Sequence, residues 1–179
     1  MHGFIFSELQ KYVTQKLGES AWEKLLSDSN LNGKKYFIVK VYPDKELEDI
    51  LATAVKITGL SRDAILEDFG NYLVPHLFNF YGSLLNPEWK TLDVLEQTEK
   101  TMHTAVRYGD KTATPPALVC ERLNDKTVNI KYTSDRHMSA LGVGIIKGIA
   151  SHFNEKVEIE NKKGVKDGKE IADIRVELL

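Results

Sequence analysis

Three groups of residues have types and spacings suited to chemistry: His103, the run Tyr132-Thr133-Ser134-Asp135-Arg136, and Ala113-Thr114-Pro115-Pro116. His103 borders an apolar stripe that includes Leu95, Met102 and Val106. An imidazole on a helix is a rigid, directional metal ligand, the commonest one where iron keeps an axial position open. The position also suits a histidine that merely packs beside an apolar face. In an extended Tyr-x-Ser-x-Arg segment, residues i, i+2 and i+4 project to one side. Two hydroxyls and a guanidinium then form one row of donors that matches a pair of carboxylates, with Arg136 able to bind one bidentately. A polar strand end leading into a helix fits the same residues. Pro115-Pro116 is stiff enough to press on a planar ligand, or can simply close a helix.

The remaining polar residues offer less. Cys120 is the only cysteine, so neither an intramolecular disulfide nor a Cys₄ or Cys₂His₂ site can form. It reads as a buried strand residue, and a lone thiol suits a reducing compartment. His2, His137 and His152 read as surface residues, and His76, after Pro75, as packed or solvated. The acid pairs Glu67-Asp68 and Glu96 with Glu99 lie in no recognisable catalytic setting. No phosphate loop, nucleophile elbow or His-Glu metal motif occurs, which argues against an enzyme.

The elements that must position these groups follow from periodicity. The 179 residues suit one domain, and a net charge of −2 points to neither nucleic acid nor an anionic membrane. No stretch approaches the ~20 apolar residues of a membrane span, and the opening MHGFIFSELQ lacks the pattern of a signal peptide. A soluble cytoplasmic protein is expected.

Helical spacing of apolar residues predicts helices over 4–17, around Trp22 to Leu26, over 44–58, 62–81, 90–108 and 138–153. Gly59 should stop the third and Ser61 cap the fourth, which Pro75 must kink or divide. Residues 36–42 alternate and read as extended; strands are expected over 117–123, 127–133, 157–161 and 172–178. A polar turn containing Gly164 and Gly168 should join the last two. The fold class is α+β: a helical front half, about 1–60, and a second part, about 61–179, with a small antiparallel sheet and one packed helix.

In this order and spacing, His103, Pro115-Pro116 and Tyr132-x-Ser134-x-Arg136 closely resemble the haem nitric oxide/oxygen binding (H-NOX) family. The opening Met-x-Gly-x-Ile, Met1 to Ile5, and Trp22 followed by Leu25 and Leu26 match as well. The resemblance spans nearly the whole chain. It implies a haem b (iron protoporphyrin IX) buried between the two parts, with His103 as the proximal iron ligand. Tyr132, Ser134 and Arg136 would grip the propionates, Pro116 would pack on and distort the porphyrin, and Ile5 would touch it from the opposite side. The cysteine-rich zinc site of many bacterial relatives has no counterpart here.

The resemblance also bears on which gas binds. Members that hold oxygen carry a distal tyrosine five residues after the motif arginine, a position filled here by Leu141. Leu9, Leu73 and Phe69 would complete an apolar distal side, which disfavours the charge separation of bound oxygen. Nitric oxide and carbon monoxide are therefore the expected ligands. By the family's logic, nitric oxide breaks the iron–His103 bond and the domain changes conformation. With no output domain before Leu179, the sensor is expected to act in trans on a histidine kinase or a cyclic-dinucleotide enzyme, or to be the equivalent region of a guanylate cyclase. The competing reading is a ligand-binding module, haem-dependent or haem-free, that reports another signal such as redox state.

Overall fold

A computed structural model describes residues 1–179. It divides into two compact units, Met1–Ile65 and Leu66–Leu179.

The first unit holds α1 (Gly3–Leu17), α2 (Glu19–Asp28), α3 (Asp44–Thr58) and the start of α4 (Arg62–Tyr81). Asp44 and Glu46 in the first turn of α3 oppose the positive end of its dipole. Gly59 ends it in the left-handed conformation, its N–H bonded to the Val55 carbonyl at 2.9 Å. Ser61 starts α4 by accepting the Ala64 N–H at 3.1 Å. The core of this unit is aromatic: Phe6 stacks on Tyr36 with ring centroids 4.1 Å apart, and Trp22 meets Tyr36 edge-on. Residues 36–42, expected to be extended, instead form turns, and only His2 and Val41 make an isolated bridge. The Tyr36 ring is spent on the core and its hydroxyl on Glu46 (2.9 Å), which pulls the segment out of any ladder. His2 is not a bare surface residue, because its Nδ1 accepts the Phe4 N–H at the start of α1.

The second unit contains the rest of α4, α5 (Thr91–Gln97), a π-helical turn (Glu99–His103) and α6 (Thr104–Gly109). It continues with β1 (Ala117–Asn124), β2 (Thr127–Ser134), α7 (Ser139–His152), β3 (Val157–Lys166) and β4 (Lys169–Leu178). The strands form one antiparallel sheet in the order β1-β2-β4-β3. Val128, Ile130 and Tyr132 of β2 alternate toward the core with Ala172, Ile174 and Val176 of β4. Against them pack Leu92 and Leu95 of α5, Met102 of the π turn, and Ile146 and Ile149 of α7.

Pro75 does not divide α4, which runs unbroken to Tyr81. Proline cannot bond the carbonyl four residues earlier, here that of Asn71. That carbonyl faces Gly148 of α7. The last hairpin is longer than its periodicity suggests. Gly164 is not in the turn but within β3, opposite Ile171, and the turn is Asp167-Gly168 alone. Both turn residues have positive φ (52° and 76°), the geometry that matches strand twist in a two-residue hairpin.

Candidate functional site

His103 closes the π turn. The 90–108 stretch expected to be one α-helix is widened at 99–103, where the His103 N–H reaches back five residues to the Thr98 carbonyl at 3.1 Å. Hydroxyls support the widened turn: Thr98 donates to the Val94 carbonyl (2.8 Å), Thr101 to that of Gln97 (2.7 Å) and Thr104 to that of Glu99 (3.0 Å). Such single π turns inside α-helices often mark functional sites. The His103 side chain is 17% exposed, and its Nδ1 lies 2.9 Å from Oε2 of Glu99. Burial pushes the imidazole pKa below its usual value, against the opposing pull of Glu99. The neutral ring is the form that binds metals. A carboxylate at Nδ1 selects the tautomer whose Nε2 carries the free lone pair.

Glu99 was passed over by sequence reasoning as one member of an acid pair. In the fold its carboxylate takes three donors: the His103 ring, the Arg107 guanidinium and, at 3.2 Å, the Leu118 N–H of β1. Its position four residues before His103 was the only available signal.

Tyr132 and Ser134 share the inner face of β2 and are 5% and 6% exposed. Burial raises the Tyr132 phenol, which keeps it a donor. Arg136 does not continue the row as expected. β2 ends at Ser134, and the chain turns through His137 at φ 50° before α7 begins. The Arg136 N–H instead caps Ser134 Oγ at 3.2 Å. Its guanidinium bonds the Thr114 carbonyl and, at 2.7 Å, the Thr114 hydroxyl. Arg136 thereby joins the donor cluster to the loop carrying Pro115 and Pro116, and the Pro116 backbone faces the His103 ring. His103, Pro116, Tyr132, Ser134 and Arg136 thus belong to one connected neighbourhood of the second unit.

A second residue invisible to motif reading is Glu170, 4% exposed and paired across β2–β4 with Ser134. Its carboxylate accepts the Ser139 N–H (3.0 Å) and hydroxyl (2.7 Å), so the N-terminus of α7 absorbs the charge. Without that compensation it would repel any carboxylate brought to Tyr132 and Ser134.

The apolar candidates Phe69 and Leu73 lie buried on α4, and Leu141 is half-buried on α7. The two helices cross in close contact: a Cβ on Gly70 would overlap the Leu141 carbonyl and lie 2.9 Å from the Ile145 nitrogen. Leu73 follows Gly70 by one turn, so Leu73 and Leu141 flank the same crossing. Ile5 is half-buried and Leu9 buried on α1 of the first unit. His76 tilts against Tyr72, with centroids 4.8 Å apart. His137 is exposed, and His152, also exposed, packs edge-on against Phe78. Cys120 is half-buried rather than buried, on the edge strand β1. No group of three or more His, Cys, Asp or Glu residues could hold a metal ion.

The chain belongs to the Haem-NO-binding (HNOB) family, whose profile matches residues 2–161. It is 24% identical over 155 residues to soluble guanylate cyclase 89Db of Drosophila melanogaster, a match covering 86% of this chain and 23% of that one. With soluble guanylate cyclase gcy-35 of Caenorhabditis elegans the identity is 25% over 162 residues, covering 88% and 23%. The chain thus spans about a quarter of the length of these relatives. Among solved structures, an H-NOX protein from S. oneidensis in the Fe(II)NO ligation state superposes with a TM-score of 0.91 at 21% identity, covering 100% and 99% of the two chains. An oxygen-binding H-NOX domain related to soluble guanylate cyclases, solved as its oxygen complex, gives 0.86 at 21% identity and 99% and 95% coverage. The α+β architecture is the H-NOX fold, and membership makes this a haem-binding gas-sensor domain rather than a catalytic one.

Proposed function

We propose that this domain senses nitric oxide through a haem b held by His103. The observation that carries this reading is the half-buried His103 imidazole at the end of the π turn, its Nδ1 held 2.9 Å from the Glu99 carboxylate. The residues present fit the group. A single imidazole on a helix suits iron whose other donors come from a porphyrin. Tyr132, Ser134 and Arg136 supply hydroxyl and guanidinium donors for the propionates, and Pro116 supplies a stiff apolar surface. Leu73 and Leu141 are assigned to the apolar surroundings. When bound, ferrous haem would supply the gas-binding site, with His103 as the residue that would hold its iron.

The chain's own part is to keep a neutral imidazole in place and to release it. Once freed, His103 no longer fixes the π turn and α6, and the conformation of the domain shifts in population. Leu73 and Leu141 offer no hydrogen-bond donor, so the domain binds nitric oxide and carbon monoxide and rejects oxygen. Carbon monoxide leaves the histidine attached and is a poor agonist. The output goes to a signalling partner in the cytoplasm, a histidine kinase, a cyclic-dinucleotide enzyme or a cyclase.

Absorption spectra of the ferrous protein under argon, air, carbon monoxide and nitric oxide test the reading. The expected result is a Soret band that is unchanged by air and altered by both other gases, with loss of the histidine signature only under nitric oxide. A colourless protein that rejects haem overturns the reading in favour of a haem-free module. Retention of the histidine under nitric oxide removes the release step.

A further inference from the structure

The geometry points to Glu99 as the positioning residue that sets the strength of the iron–His103 bond, an inference that rests on the haem reading above. Two observations and one principle carry it. The Glu99 carboxylate accepts from His103 Nδ1 at 2.9 Å, which fixes the ring's rotation and tautomer. A carboxylate partner at the far nitrogen makes an imidazole a stronger donor to metal than a carbonyl or water does. The carboxylate is itself held from two further directions, by Arg107 on α6 and by the Leu118 N–H on β1 at 3.2 Å.

The Leu118 bond gives the arrangement a fixed reference. Leu118 lies on the edge strand, directly opposite Tyr132 in the β1–β2 register. Glu99 therefore ties the candidate iron ligand to the strand pair that carries the candidate propionate donors. Arg107 acts in the opposite sense. It draws on the Oε1 side of the same carboxylate and withdraws negative charge from the bond to His103. The π turn is what allows this: it holds Glu99, the His103 ring and Arg107 together while the Thr104 hydroxyl takes up the Glu99 carbonyl. Glu99 strengthens the bond that nitric oxide must break, and Arg107 moderates it.

Resonance Raman spectra of the ferrous holoprotein test this through the iron–histidine stretch, read beside the rate of haem transfer to apomyoglobin. E99Q keeps an acceptor but loses the charge, and should lower the stretch while the protein stays folded. E99A should lower it further and speed haem loss roughly tenfold. R107A should raise it, a change of opposite sign that loosening of the helix would not produce. Unshifted stretches in E99Q and R107A overturn the proposal, as does a downward shift in both. H103G separates this from the underlying reading. A stretch that disappears in H103G and leaves haem bound only with added imidazole upholds His103 ligation whatever the Glu99 variants do. A stretch that persists in H103G overturns ligation and the proposal together.

Discussion

The Cα of Gly144 on α7 sits so close to the Glu67 backbone on α4 that a methyl group there would overlap the Glu67 carbonyl oxygen and lie 2.9 Å from its Cα. Neither contact involves a flexible side chain that could move aside. Alanine is a better helix former than glycine by about 1 kcal/mol, but backbone overlap outweighs that gain. Gly144→Ala should lower stability by about 1–3 kcal/mol, visible as a fall in Tm of several degrees in thermal unfolding. The variant should also shift Leu73 and Leu141, which flank the crossing and belong to the proposed distal side.

Arg136 braces Thr114, and under the proposed function it also binds a haem propionate. A charge-assisted hydrogen bond is worth about 1.5–3 kcal/mol, so Arg136→Ala should speed haem transfer to apomyoglobin by about 10- to 100-fold. Arg136→Lys keeps the charge but not the planar fork and should fall between.

In the proposed distal side, Leu141 decides oxygen rejection. Leu141→Tyr adds a hydroxyl donor in apolar surroundings, where one hydrogen bond counts for more than in water. The variant should form a stable oxygen complex in air, followed by absorption, and the parent should not. An unchanged spectrum in air would remove Leu141 from the distal side.

Burial pushes the Cys120 thiol up to about 11. At neutral pH it is therefore a poor nucleophile, and alkylation by iodoacetamide should be slower in the folded than in the unfolded protein until the pH approaches that value. The linkage has a definite sign. Between the ordinary thiol range and about 11 the folded state holds a proton that the unfolded state has released, so stability falls as pH rises. Urea unfolding at pH 8 and at higher pH, compared with Cys120→Ser, would isolate that contribution.

Much of this protein was legible before any coordinates. α3 begins at Asp44 and ends before Gly59 because dipole-matched acids and a left-handed glycine act locally, within one turn. The β1–β2 hairpin and the alternation of Val128, Ile130 and Tyr132 are likewise local, with a period of two that the inner face of the sheet requires. Errors arose where a distant partner overrode the local pattern. Tyr36 was drawn out of an extended segment by Phe6 and Glu46, and Gly164 was kept in a strand by pairing with Ile171.

The candidate site divides in the same way. Residue types and spacing along the chain, read with the family resemblance, singled out His103, Pro116, Tyr132, Ser134 and Arg136 as candidates, because a rigid imidazole and carboxylate donors are properties of single side chains. Only tertiary structure showed that Arg136 leaves the strand row to clasp Thr114, and that a π turn rather than an α-helix presents His103. It alone made Glu99 the partner of the imidazole. That carboxylate needs Leu118, 19 residues away on a strand, and no periodicity encodes a contact that arises only when strand and helix pack.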